Sequence, residues 1–187
     1  MSDVKRSAEL VGRPVITIEE GLEIGRVGSL VINTGSGEIA AVAVGSSNPF
    51  LAPKVVPFAL IQGVGEDAIV IENSSSLVEM SALPELAAIA RSEGEVRGTK
   101  VMTRTGHFLG TVKEIIIDID AGRIAGYEVD IAGASGVLPA GEVITIGRQV
   151  LVAAADAGDR VVHDATELPR RVESCDSAVR EALTLEG

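Results

Sequence analysis

The strongest constraint on this chain is internal repetition. Gly110 to Val129, GTVKEIIIDIDAGRIAGYEV, reads as a β-hairpin, and Gly25 to Val44, GRVGSLVINTGSGEIAAVAV, is a second copy of it. Gly25/Gly110, Val27/Val112, Ile32/Ile117, Gly37/Gly122 and Ile39/Ile124 correspond at a spacing of 85. Ahead of the hairpin the spacing is 86, with Leu10 to Val15 matching Val96 to Val101; after it the spacing is 82, with Val56-Pro57 matching Leu138-Pro139 and Gly65 matching Gly147. Turn residues recur along with strand residues, which composition alone does not produce, so one supersecondary unit is used twice.

The first copy predicts a short strand over Pro14 to Ile18, a charged turn at Glu19-Glu20-Gly21, and a long strand ending at Asn33. Thr34-Gly35-Ser36-Gly37 turns the chain back into a strand over Glu38 to Gly45, because glycine reaches the positive φ that a tight hairpin needs. Lys54 to Pro57 and Ala68 to Glu72 complete the copy, with one helical turn expected near Phe58 to Gln62. Between the copies, Ser76 and Glu79 fit a capping box, Pro84 suits a first helical turn, and Leu83, Leu86, Ala87 and Ile89-Ala90 recur at helical spacing. The resulting organisation is a loose arm over 1–10, a first unit over 11–75, a linker helix over 76–94, a second unit over 95–155, and an acidic tail over 156–187 without a repeat partner. In that tail Val172, Cys175, Val179 and Ala182-Leu183 predict a partly helical segment.

A chain of 187 residues that is 46% hydrophobic and 2% aromatic, with no Trp, must build its core from aliphatic side chains, and β-branched ones favour strands. It also lacks the aromatic platforms on which single-stranded nucleic acids stack. The net charge of −11 repels phosphate backbones and disfavours nucleic acid as a partner. A single cysteine, Cys175, makes no internal disulfide, and neither a secretory leader nor an apolar run of membrane-spanning length is present, so a cytoplasmic protein without a membrane span is expected.

The order Gly-x-x-Val, charged or glycine turn, hydrophobic-Gly-x-Val, strand, Asp or Asn, Gly-x-Ile, strand, Val/Leu-Pro and a closing Gly-x-x-x-hydrophobic strand occurs twice. It resembles the PRC-barrel family, found in the cytoplasmic part of the photosynthetic reaction-centre H subunit and in a bacterial ribosome-maturation factor. The resemblance implies a mainly β fold of two tandem small antiparallel β-barrels, and roles in binding and assembly rather than catalysis. With no transmembrane helix and no separate N-terminal domain expected, the chain resembles the free-standing tandem PRC-barrel proteins of prokaryotes.

Residues that could carry chemistry are few. His107 sits in a Thr-Gly-His turn and His163 in the polar tail, where both are expected to be ordinary exposed residues; no nucleophile with a tuned base is legible, so no catalytic residue and no cofactor are expected. Asp118 and Asp120, with Asp130 beyond, offer carboxylate oxygens of the kind Ca²⁺ or Mg²⁺ prefers, but Asn33 and Gly35 stand at the matching positions. A turn in which Asp or Asn bonds its own backbone explains the pattern better, and no metal site is assigned.

The hairpin strands are apolar on both faces, whereas a small barrel fills its interior from one face only. Val31 and Ile116 lie opposite the inward set, and Ile39 and Ile124 are grouped with them; Phe50 and Leu51 occupy the loop Ser46 to Pro53. These six form the candidate interaction surface, either packing the two units and the linker together or meeting a protein partner of unknown identity, a homo-oligomer included. The expected function is that of a non-enzymatic adaptor or scaffold. A ribosome-assembly or RNA-processing factor binding ribosomal protein, and a small-molecule or metal-responsive binder, are the alternatives.

Overall fold

The structure, a computed structural model, describes residues 3–45 and 54–168. The first unit contains β1 (Val4–Arg6), α1 (Ser7–Leu10), β2 (Pro14–Thr17), β3 (Glu23–Asn33), β4 (Glu38–Gly45), β5 (Lys54–Pro57), β6 (Ile61–Val64) and β7 (Ile69–Ile71). A connecting region supplies β8 (Val78–Glu79), α2 (Pro84–Ile89), β9 (Ala90–Ser92) and α3 (Glu93–Val96). The second unit follows with β10 (Lys100–Thr103), β11 (Phe108–Asp118), β12 (Arg123–Ile131), β13 (Ala134–Pro139), β14 (Val143–Ile146) and β15 (Val150–Ala153).

The long hairpins β3–β4 and β11–β12 pair antiparallel, as their turn chemistry predicts. The strand order is β14-β15-β10-β11-β12-β4-β3-β2-β7-β6, which reads outward identically from the middle. The two copies are therefore joined edge to edge in one curled sheet. Nor is the sheet wholly antiparallel: β2 runs parallel to β7 and β10 parallel to β15, because each copy brings its last strand back beside its first.

At the centre of this order the two hairpin turns meet. Glu38 faces Arg123, the Ile39 N–H donates to the Gly122 carbonyl at 2.8 Å, and the Ile124 N–H donates to the Gly37 carbonyl at 2.9 Å. Each donor and acceptor is the repeat equivalent of the other, so the contact has local two-fold character, the self-complementary form of an isologous interface within one chain. Gly37 and Gly122 hold φ of 72° and 63°, the left-handed region in which glycine carries no Cβ penalty.

Residues 4–10, expected to be a loose arm, are ordered as β1 and α1, and they belong to the other copy. β1 pairs with β11, Lys5 opposite Ile117 and Arg6 opposite Ile116. Its counterpart β9 pairs with β3, Arg91 opposite Ile32 and Ser92 opposite Val31. Each copy thus lends its leading strand to its neighbour's longest strand, satisfying edge N–H and C=O groups that would otherwise stay open. Local periodicity cannot reveal three-residue strands of this kind, since their partners are remote. Leu10 and Val96, equivalent residues at the ends of α1 and α3, are both buried in the common core.

The linker also departs from a single helix over 76–94. Ser76 ends a 3-10 turn, Val78 and Glu79 pair with β5, and only Pro84–Ile89 is α-helical, with Pro84 in its first turn. Strand pairing on either side outweighs the helical propensity of the intervening residues. One large hydrophobic cluster draws on both copies, from Val15, Leu30 and Ile32 to Ile115, Ile117 and Leu151.

Candidate functional site

The outward apolar faces of the hairpins are covered. Val31, Ala41 and Val55 form a second cluster beneath Val78, Met80, Leu83 and Leu86, so the linker seats on the first copy. On the second copy, Ile116 and Val137 are buried to 1% and 5% exposure. Val137 and Val162 exchange both backbone hydrogen bonds, at 2.7 and 2.9 Å, as Val55 pairs with Val78 in the first copy. A Cβ on Gly136 would lie 2.5 Å from Val161 Cγ1, and one on Gly126 would lie 3.0 Å from Leu168 Cδ2. The segment Val161 to Leu168 is therefore the repeat partner of Leu77 to Leu83, each ending in a 3-10 turn followed by leucine and proline. The tail was expected to have no such partner; the correspondence is hidden because only the spaced apolar positions recur.

The expected interaction surface is thereby corrected. Val31, Ile39, Ile116 and Ile124 are 5%, 3%, 1% and 4% exposed, so none of them is available to an outside partner. Ile39 and Ile124 lie in the central core, not on the outer face. A bulge in each hairpin, between Val31 and Ile32 and between Ile116 and Ile117, puts two residues of the return strand opposite one and reverses the alternation. Phe50 and Leu51 lie outside the described residues, as do Cys175 and the expected tail helix.

Large apolar side chains are exposed elsewhere. Ile18 and Leu22 flank the β2–β3 turn at 56% each, and Phe108 opens β11 at 58%, just after the β10–β11 turn. The two turns occupy equivalent places in the copies, with Thr17 N–H donating to the Leu22 carbonyl at 2.9 Å and Thr103 N–H to the His107 carbonyl at 2.8 Å. Sequence reasoning passed over these residues because a lone apolar residue beside a turn looks like the end of a strand. Their counterparts in the other copy are Arg104, His107 and Glu23, so the repeat gave no signal for them.

The polar candidates take structural roles. Asp118 Oδ1 accepts from the Ala121 N–H at 3.0 Å, and Asn33 Oδ1 accepts from the Gly35 N–H at 2.9 Å, so both bond their own turns. Asp120 Oδ2 accepts from the Asp3 N–H at 3.2 Å. Asp130 accepts from the Gly133 N–H and pairs with Lys113 at 3.2 Å; the backbone bond first, then the lysine, holds its carboxyl below the usual range. Among the described residues no three His, Cys, Asp or Glu side chains gather as a metal site. His107 and His163 are exposed, and His107 Nδ1 lies 3.1 Å from Thr105 Oγ1.

One buried polar group ties α1 of the first copy to the second copy. Glu114 is 9% exposed. Its Oε1 accepts from the Ser7 hydroxyl and from the Ile115 N–H at 2.8 Å, while Oε2 pairs with Arg97 at 3.7 Å. The matching residue in the first copy is Ser29, so this anchor exists on one side only.

A cavity of about 640 Å³ opens beside the central turn contact, between the Thr34–Glu38 turn and the second copy. Ala140, Tyr127, Pro139 and Leu168 line it, with Asp3, Asp118 and Arg123 also at its walls. Tyr127 is 1% exposed, and burial pushes its phenol away from ionisation.

A family model of the PRC-barrel domain matches residues 2–78 and again 93–164. Both matches begin ahead of the units expected from sequence, and the first takes in the exchanged strand β1. No curated protein matches the chain. Among the described residues no helix is long and apolar enough to cross a membrane.

Proposed function

Because the chain belongs to the PRC-barrel family, matched over two domains, we propose that it is a non-enzymatic, cytoplasmic adaptor or scaffold built as a tandem of PRC-type barrels. It acts through protein–protein contacts. Domains of this family often serve as interaction modules, and two of them in one sheet would present a partner with two related surfaces.

The observation that carries this reading is the pair of equivalent turns exposing Ile18 with Leu22 and Phe108. An apolar anchor surrounded by polar residues is the usual centre of a protein contact. Glu19 and Glu20 flank the first anchor, so a partner there carries basic residues around an apolar groove. The net charge of −11 favours protein over nucleic acid as the occupant of either turn.

The test is affinity capture from native cells with the full chain, a double variant Ile18→Ser/Leu22→Ser, and Phe108→Ser, followed by mass spectrometry after nuclease treatment. A protein retained by the native chain and lost with either variant supports the reading. Capture indifferent to all three substitutions, or abolished by nuclease, refutes it.

A further inference from the structure

The cavity at the central turn contact exists because the two-fold relation between the copies is broken at one position. On the first copy, Phe58 follows β5 and lays its ring on the opposite hairpin turn: a Cβ on Gly122 would lie 2.8 and 2.9 Å from its Cε1 and Cδ1. The residue equivalent to Phe58 is Ala140, which follows β13 in the same 3-10 turn. Around Gly37, the equivalent of Gly122, a Cβ would meet nothing within 4 Å. The ring that covers one turn is missing from the other, and the cavity of about 640 Å³ stands in that place. The second copy does carry an aromatic nearby, Tyr127 in place of Val42, but its ring belongs to the central core and leaves Gly37 uncovered.

Four features define what fits. The volume lies within the range of roughly 300–1,000 Å³ typical of small-molecule sites. Phe58 demonstrates that a six-membered ring packs against the equivalent turn at Gly122. Tyr127 lines the cavity at 1% exposure, and burial pushes its phenol away from ionisation; a nearly buried hydroxyl gains from a hydrogen-bond partner. Asp3, Glu38 and Asp118 face the cavity against Arg123 alone, and Lys5, 3.1 Å from Asp3, offsets one of them. The residual negative charge favours a neutral or cationic group over an anionic one.

We propose that this cavity binds a small arylalkylamine, its ring on the Gly37 turn where Phe58 covers Gly122, and a polar substituent bonded to the Tyr127 hydroxyl. The site is independent of the turn anchors assigned to a protein partner.

The experiment is an NMR titration of the full-length chain with tyramine, using 4-hydroxyphenylacetate as the anionic comparison. Tyramine is expected to shift the Gly37, Tyr127 and Ala140 amides saturably at one site, and the acid to bind more weakly. Ala140→Phe, which restores the ring present on the other copy, should abolish the shifts. Tyr127→Phe keeps the packing and should weaken binding by about 3- to 10-fold. The proposal is overturned if tyramine gives no saturable shifts, if the acid binds as well as the amine, or if Ala140→Phe binds unchanged. Should Ala140→Phe not fold, unchanged affinity in Tyr127→Phe overturns it equally.

Discussion

The two copies have the same strand order, turn chemistry and exchanged leading strand, yet they are finished differently. The first copy carries Val42 and Phe58 where the second carries Tyr127 and Ala140, and Ser29 where the second carries Glu114. The outer face of the first is covered by the linker with α2, and that of the second by the tail segment Val161 to Leu168. The backbone is thus held to a two-fold pattern by reciprocal hydrogen bonds, while side chains are free to diverge where they do not take part in it. Shared scaffold and private features separate cleanly on this criterion.

The comparison breaks most visibly at its shared outer faces. Val31→Glu and Ile116→Glu each bury a charge without a partner and should each lower stability by about 3–5 kcal/mol, read as a fall in the urea midpoint. If one is tolerated, the covering segment on that side is dispensable and the two faces are not equivalent.

The exchanged leading strands come next. Leu10→Ala should cost about 2–5 kcal/mol and Val96→Ala about 2 kcal/mol, scaled to the smaller side chain removed. Thermal or urea unfolding of both variants measures whether the exchange contributes on both sides. A full cost at Val96 with none at Leu10 would reduce the exchange to a one-sided contact.

Ser7→Ala sharpens the asymmetry instead. Glu114 loses one donor in a buried setting, at a cost of about 1–3 kcal/mol, whereas the equivalent site around Ser29 has no acid to lose one. Equilibrium unfolding of Ser7→Ala beside Ser29→Ala should show the larger effect for the first.

The smallest expected effect is electrostatic and is lost in acid. The Asp130 carboxyl is held below its ordinary range by the Gly133 N–H and by Lys113. Its contribution is present above the unfolded pKa and is lost as pH falls through the lower folded value. Glu20, Asp156 and Asp164 are displaced in the same direction, each chiefly through a backbone N–H, so stability should decline together on the acid side. Asp130→Asn should flatten that decline slightly, by lowering neutral-pH stability by the small amount that the native chain loses in acid.

Much of this was legible in the residues. Glu38 to Gly45 and Lys54 to Pro57 are strands with the expected bounds, and Asn33 and Asp118 close their turns as Asx chemistry requires. The candidate surface was not legible, because a period-two reading places Ile39 and Ile124 outside, and a bulge one residue long reverses that assignment. Ile18, Leu22 and Phe108 went unnoticed because exposure depends on what packs nearby, which spacing does not encode.

By itself, then, the sequence determined that one β unit is used twice, where its hairpins turn, and that its core is aliphatic. These follow from local rules, the alternation of side chains along a strand and the φ that glycine permits. The tertiary structure alone decided that each copy lends its first strand to the other, that linker and tail cover matching faces, and that one turn is capped by Phe58 while its twin stands open. Those outcomes depend on contacts between residues far apart in the chain, where pairing and burial act on whatever surfaces the fold brings together.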